Sequence, residues 1–153
     1  MNPNTTLAHP DFELRVGSWA ELGTEAQTIR HAVFVQEQGI PAELEWDAAD
    51  AGAVHALALQ HGRPVATGRW LDAPEAGVAR IGRMAVLAPL RGQGAGRAVL
   101  DALVEAARAA GKAEILLHAQ ASAVGFYLRA GFAPAGEPFD EAGIAHQEMR
   151  RRL

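Results

Sequence analysis

RGQGAGRAVL, from Arg91 to Leu100, places three glycines at alternate positions between two arginines, and a helical pattern follows at once. Each glycine costs entropy on ordering. The stretch therefore reads as a turn that needs glycine, or as backbone that a ligand approaches closely. A strand precedes it and a helix N-terminus follows. The first N–H groups of such a helix lack internal partners, and the macrodipole adds partial positive charge there. Glycines let the chain curl into a nest of donors, which suits a diphosphate. Arg91 and Arg97 add charge-assisted contacts.

Two phosphate motifs fail on this stretch. A P-loop needs Gly-Lys-Ser/Thr, and no lysine follows. The dinucleotide fingerprint G-x-G-x-x-G places Arg97 or Val99 where its third glycine belongs. What remains is Arg91-x-x-Gly94-x-Gly96, and a glycine-rich turn with no ligand stays open beside the anion site.

The surrounding chain limits the function classes. Its 153 residues suit one domain. Apolar residues make up 49% and charged residues 21%, as in ordinary globular proteins. The net charge of −4 argues against nucleic acid and anionic membrane as partners. Cysteine is absent, which removes disulfides, thiolate zinc sites and a cysteine nucleophile. No histidine pair has the spacing of a helical metal site, so no metal is expected. Residues 1–10 lack the pattern of a signal peptide and read as a flexible leader to a single domain over 11–153. No apolar run is long enough to span a membrane. A cytoplasmic location is expected.

Working outward, FELRV (Phe12 to Val16) alternates like a strand. Ser18 with Glu21 and Thr24 with Gln27 both have capping-box spacing. Gly23 interrupts, so the helix is expected to start at Thr24 and to end at Gly39 and Pro41. AELEWDAADAG (Ala42 to Gly52) reads as an acidic loop or weak helical turn. VHALALQ and VATGRWL (Val54 to Gln60, Val65 to Leu71) read as a hairpin joined by HGR, and VARIGRMAVL (Val78 to Leu87) as a longer strand. Gly82 inside it suggests a bulge or a close approach. Val99, Leu103, Ala106 and Ala110 share one helical face, and Gly111 suits the C′ position. EILLHA (Glu114 to Ala119) is a buried strand. A short helix follows around Ala123 to Ala130, and two strands close the chain. The expected order is β-α-βββ-α-β-α-β-β, a mixed α/β domain around one sheet.

Arg91-x-x-Gly94-x-Gly96 between a strand and a helix resembles the coenzyme A loop of the GNAT acyltransferase superfamily. HAQASAVGFYLRAGF (His118 to Phe132) resembles that family's second signature. Gln120, Ala123, Phe126, Tyr127, Gly131 and Phe132 match in order, with Gln120 where asparagine is more usual. AVFVQEQGIPAELEWDAAD and FDEAGIAHQEMR are similar to the ElaA-like branch. The resemblance implies a GNAT-like fold, a mostly antiparallel mixed sheet of six to seven strands flanked by helices. It also implies acetyl-CoA as cosubstrate. The diphosphate would lie on the loop formed by Arg91, Gly92, Gln93, Gly94, Ala95, Gly96 and Arg97. The pantetheine arm would pair with Met84, Ala85 and Val86, with Gln120 and Phe126 beside it.

Tyr127, the single tyrosine, is the candidate acid for the leaving thiolate, although an aromatic on a core face is the plainer reading. Glu37 and His118 are candidate bases. His55 and His146 also lie on strands and read more readily as structural. Glu45 and Asp47, with Asp50, form an acidic cluster that either attracts a cationic amine or is a solvated loop. Arg83 reads as a substrate-carboxylate ligand or the partner of an acid.

The leading expectation is an N-acetyltransferase acting on an amine, most simply a small molecule, by direct attack in a ternary complex. A CoA-binding sensor or docking module without turnover is the alternative. Polyamine, aminoglycoside, amino acid and protein amines stay open as acceptors, and so does a homodimer.

Overall fold

The computed structural model describes the backbone of residues 5–7 and all of residues 11–153. Nine strands form one sheet: β1 (Thr5–Leu7), β2 (Glu13–Gly17), β3 (Val54–Gln60), β4 (Arg63–Asp72), β5 (Val78–Val86), β6 (Glu114–Gln120), β7 (Ala133–Pro134), β8 (Phe139–Glu141) and β9 (Ile144–Arg152). Eight lie in the order β1-β2-β3-β4-β5-β6-β9-β7, and β8 pairs with β9. Every pairing is antiparallel except β5 with β6, which α3 (Ala95–Ala109) joins.

The sheet carries more strands than the six to seven expected. Thr5–Leu7, within the expected leader, pairs with Leu14–Val16 of β2, and the rest of that leader lies outside the described residues. β8 and β9 form a hairpin through Ala142 and Gly143, both with positive φ. An Ala-Gly pair lacks the Asn-Gly or Asp-Gly signal of such turns, so sequence reading passes over it. The expected HGR hairpin is a two-residue turn at His61 and Gly62, both left-handed, between paired Gln60 and Arg63.

Helix α1 (Trp19–Arg30) starts five residues earlier than Thr24. Ser18 and Glu21 close a full capping box: Ser18 Oγ accepts from the Glu21 amide at 3.3 Å, and Glu21 Oε1 accepts from the Ser18 amide at 3.0 Å. Gly23 does not break the helix. A Cβ there would stand 2.8 Å from the Trp19 ring, which lies across it. The chain then continues as a π-helix over His31–Glu37 and stops at Gly39, whose φ is +73°. A short helix, α2 (Ala42–Glu45), follows.

Two apolar layers sandwich the sheet. On one face, Val99, Leu103 and Ala106 of α3 pack on Ala56, Ala58, Ile81 and Leu117; Ala110, at the frayed end, is exposed. On the other, Leu22, Ala26 and Ile29 of α1 pack on Leu57, Leu59 and Ala85. Alternation along β3 thus fills both layers.

β5 carries a bulge. Thr67 pairs with Ala85 but Arg69 pairs with Gly82, so Arg83 and Met84 together face Gly68. Arg83 adopts φ +53°. The extra residue changes which side chains share a face. Before it, Ala79 and Ile81 meet α3; after it, Met84 and Val86 do.

A buried ion network ties α1 to β4 across the loop after α2. Arg30 donates to Asp50 at 2.8 and 3.1 Å and to Glu45 Oε1 at 2.5 Å. Arg69 donates to Asp50 Oδ1 and Asp47 Oδ2, both at 2.6 Å. Burial pulls Asp50 upward, but the two guanidiniums outweigh it and hold its carboxyl below the ordinary value. The hydrogen bond from Arg69, then that from the Ala49 amide, holds Asp47 at about 2.

Gly68→Ala drives a Cβ to 2.9 Å from Leu103 Cδ1 and onto the Met84 sulfur. It should cost about 2 kcal/mol of unfolding free energy, read by urea denaturation. Asp50→Asn leaves two buried guanidiniums short of an anion and should cost about 3 kcal/mol. In the wild type, the unfolded aspartates take up protons near their ordinary pKa while folded Asp47 resists to about 2. Stability should therefore fall as pH drops from about 4 towards 2 in an acid-unfolding series.

Candidate active site

The parallel pairing of β5 and β6 covers only Val78–Ile81 and Glu114–Leu117. Beyond it the strands separate, while β6 stays paired with β9 to Gln120. Residues 82–86 of β5 thus keep β4 on one side and leave their other backbone edge unpaired by β6. A cavity of about 460 Å³ opens at this split, within the range of small-molecule sites. Met84 and Gly82 line one wall, and Leu117, His118 and Gln120 the other. Phe34 and Gln38, at the end of the π-helix, and Tyr127 complete it. Gln38 and Gln120 exchange amide hydrogen bonds across the cavity at 3.2 and 3.1 Å.

The β5 edge runs on into the glycine loop. Gly92 and Gly94 have φ of +79° and +92°, which glycine adopts without strain. Gly96 serves a different purpose, since a Cβ there would stand 3.1 Å from Val86 Cγ2 and 3.7 Å from the Phe126 ring. Gly94 is the N-cap of α3 and supplies no side chain, so the first amides, at Ala95, Gly96 and Arg97, have no capping side chain. Arg97 reaches Asp101 at 3.0 Å, and Gln93 donates to the Pro89 carbonyl at 3.1 Å. Arg91 donates through both terminal nitrogens to Glu37, at 2.5 and 2.6 Å, and through Nε to the Val86 carbonyl.

Tyr127 sits on α4 (Val124–Arg129), 7% exposed, edge-on to Phe126 and Phe132. Its hydroxyl has no hydrogen-bond partner among the described residues, and its ring lines the cavity. Burial pushes its phenol well above the ordinary tyrosine value, so it stays protonated.

His118 also lines the cavity. The Arg80 guanidinium donates to its Nδ1 at 3.0 Å, and its Nε2 faces Glu148 Oε1 at 3.2 Å. Since arginine can only donate, Nδ1 accepts and the ring is the neutral Nε2–H tautomer. Burial raises Glu148, but hydrogen bonds from Arg150 and then His118 hold it below the ordinary value. Glu37 lies outside the cavity lining, and the hydrogen bonds from Arg91 hold its carboxylate below the ordinary value.

Glu45 and Asp47, read as acids that attract a cationic amine or belong to a solvated loop, are engaged by Arg30 and Arg69, and Glu45 lines this cavity. Asp50, their companion, is buried with both. Those arginines come from α1 and β4, far along the chain, so spacing does not reveal the pairing. His55 belongs to this network: it bonds the Asp50 carbonyl at 2.9 Å, and burial lowers its pKa. His146 lines the cavity with Nδ1 near the Ile144 carbonyl at 2.7 Å. Arg83 lines the cavity as well, 3.5 Å from Asp47. Arg80 lines it too and carries no motif, while Gln38 and Glu141, which also line it, lie in the two stretches similar to the ElaA-like branch without being singled out there as site residues.

Residues 21–153 match the acetyltransferase (GNAT) domain family. The Bacillus subtilis (strain 168) protein described as uncharacterized N-acetyltransferase YjcF is 35% identical over 128 residues, covering 83% of this chain and 90% of its own. Escherichia coli ElaA superimposes with a TM-score of 0.81 at 29% identity, over 92% of this chain and 99% of that one. An acyl-CoA N-acyltransferase from Pseudomonas aeruginosa gives 0.79 at 31% identity, over 92% and 99%. Together with the split between β5 and β6 and the glycine loop that follows it, these matches mean that the chain belongs to the GNAT acetyltransferase family.

Proposed function

We propose that this protein transfers the acetyl group of acetyl-CoA to the amine of a small molecule by direct attack. The observation that carries this reading is the continuous run from the open β5 edge at residues 82–86 into the uncapped N-terminus of α3. The first suits the amides of a pantetheine arm, as in strand addition. The second suits a diphosphate.

In the reaction, the amine nitrogen bonds the thioester carbonyl carbon, the C–S bond breaks, and the amine proton is lost. Deprotonating a lysine-like amine of pKa about 10.4 at neutral pH costs about 4.6 kcal/mol. Tyr127 donates to the leaving sulfur. A thiol of pKa about 8.5 leaves readily, and burial makes full transfer from this phenol harder. Tyr127 therefore acts chiefly as a hydrogen-bond donor, and positioning supplies most of the rate. His118, neutral but with Nδ1 held by Arg80, takes the amine proton through water or after Arg80 shifts. Glu37, bound to Arg91, sets the loop arginine rather than the amine's charge state.

Calorimetric titration with acetyl-CoA, against ATP and NAD, should show binding of acetyl-CoA alone; no binding would remove the reading. Tyr127→Phe should keep that binding and lose about tenfold or more in turnover. kcat/KM should rise with pH as the free amine gains population. It should show no alkaline fall below about pH 10 from Tyr127, whose phenol is raised. Glu37→Gln should alter the KM for acetyl-CoA and leave kcat within about threefold, whereas a general base would lose about a hundredfold in kcat.

A further inference from the structure

The split continues past the main cavity. A second cavity of about 330 Å³ adjoins it, and Arg80, Gly82, Arg83 and Glu141 line both. In an unbroken strand, residues 80 and 83 project to opposite faces. The bulge at Arg83 and Met84 cancels that alternation, so both guanidiniums reach the same pair of cavities.

Both have donor capacity to spare. Arg80 has no carboxylate within 4.0 Å among the described residues, and its hydrogen bond goes to a neutral imidazole at 3.0 Å. Arg83 meets Asp47 at 3.5 Å with no hydrogen bond, and its Nε is buried without a partner. Asp47 is already committed to Arg69 at 2.6 Å. Burial, then the like charges of Arg69 and Arg30, lowers the pKa of Arg83, a strain that a bound anion would relieve. Glu141 lines both cavities, half exposed and 3.7 Å from His146, while Glu45 lines the first and Asp47 the second, each bound by an arginine, Arg30 and Arg69 respectively.

The diphosphate of acetyl-CoA is not the anion in question. Arg80 precedes Val86 by six residues along β5, about 20 Å of strand, and the glycine loop lies beyond that. The arginines stand at the end of the cleft away from the loop.

We infer that Arg80 and Arg83 bind a carboxylate on the acceptor, so that the molecule acetylated is an amine bearing a carboxylate, as in an amino acid. This rests on the acetyltransferase reading above. The carboxylate meets two guanidiniums whose N–H groups are otherwise unmatched, and charge-assisted hydrogen bonds of this kind strongly favour a ligand that supplies the acceptor atoms. The amine end then extends from this anchor into the main cavity towards Tyr127 and the open β5 edge.

The test uses the full chain. Acetyl-CoA binding is first measured by calorimetry. CoA release is then followed with the common α-amino acids, a series of ω-amino acids, and the carboxamide and decarboxylated counterpart of each. At least one carboxylate-bearing amine should exceed its carboxamide about tenfold or more in kcat/KM. Arg80→Gln and Arg83→Asn should each raise the KM for that acceptor about tenfold, with little change in acetyl-CoA affinity or in the KM for the carboxamide, and kcat should hold in Arg83→Asn, since Arg80 also touches His118. Asparagine tolerates the left-handed backbone at residue 83, and thermal melting checks that both variants fold. A protein that binds acetyl-CoA but acetylates carboxamides or simple amines as well as the acids overturns this inference alone. So does an equal loss on acid and carboxamide in both variants. Absence of acetyl-CoA binding in the wild type overturns the acetyltransferase reading and this inference with it.

Discussion

The single extra residue in β5 shapes everything around the cleft. It interrupts the ladder to β4 between Arg69 and Thr67, and the pairing with β6 stops at Ile81. Ahead of it the strand is an ordinary central strand, covered on both faces. After it, one backbone edge is free while both faces remain packed by Met84, Ala85 and Val86. A left-handed arginine costs of order 1 kcal/mol. The surroundings sustain it: Gly68 opposite is bare, so the Met84 side chain can settle over it against Val99 and Leu103. The bulge and the missing side chain at residue 68 are two halves of one fit.

A second constraint is electrostatic. Arg30 and Arg69 are nearly sealed from water and survive there because Glu45, Asp47 and Asp50 surround them. The network fastens α1 and the segment after α2 to the sheet, and through them it fixes the π-helical end that carries Phe34 and Gln38 to the cleft. It also pairs the acids Glu45 and Asp47 at the acceptor end, which line the two cavities, with Arg30 and Arg69, and leaves Arg80 and Arg83 there without a carboxylate hydrogen bond.

Much of this was legible from local chemistry. The glycine loop and the β3–β4 hairpin follow from residue type and spacing, and Gly82 flags the bulge that starts one residue later. The limits were also local. Gly23 reads as a break because nothing in a periodic pattern says that a tryptophan ring four residues earlier will lie on it. The Ser18–Glu21 capping box was visible but lost to that glycine. The acidic cluster looked solvated because its partners are brought from 15 to 22 residues away by folding. Arg80 carries no motif, and its kinship with Arg83 exists only once the bulge has rotated one of them.

That rotation makes the length of β5 more exacting than its composition. Deleting one residue between Gly82 and Ala85 would restore an even ladder with both flanks on their present faces, and would abolish the bulge itself. Loss of Arg83 would take a cation from the cleft, and loss of Met84 would set the Arg83 guanidinium over Gly68 against Val99 and Leu103. Relatives of this chain should therefore tolerate many substitutions in the segment but no gain or loss of a single residue, because its function is counted in positions rather than spelled in side chains.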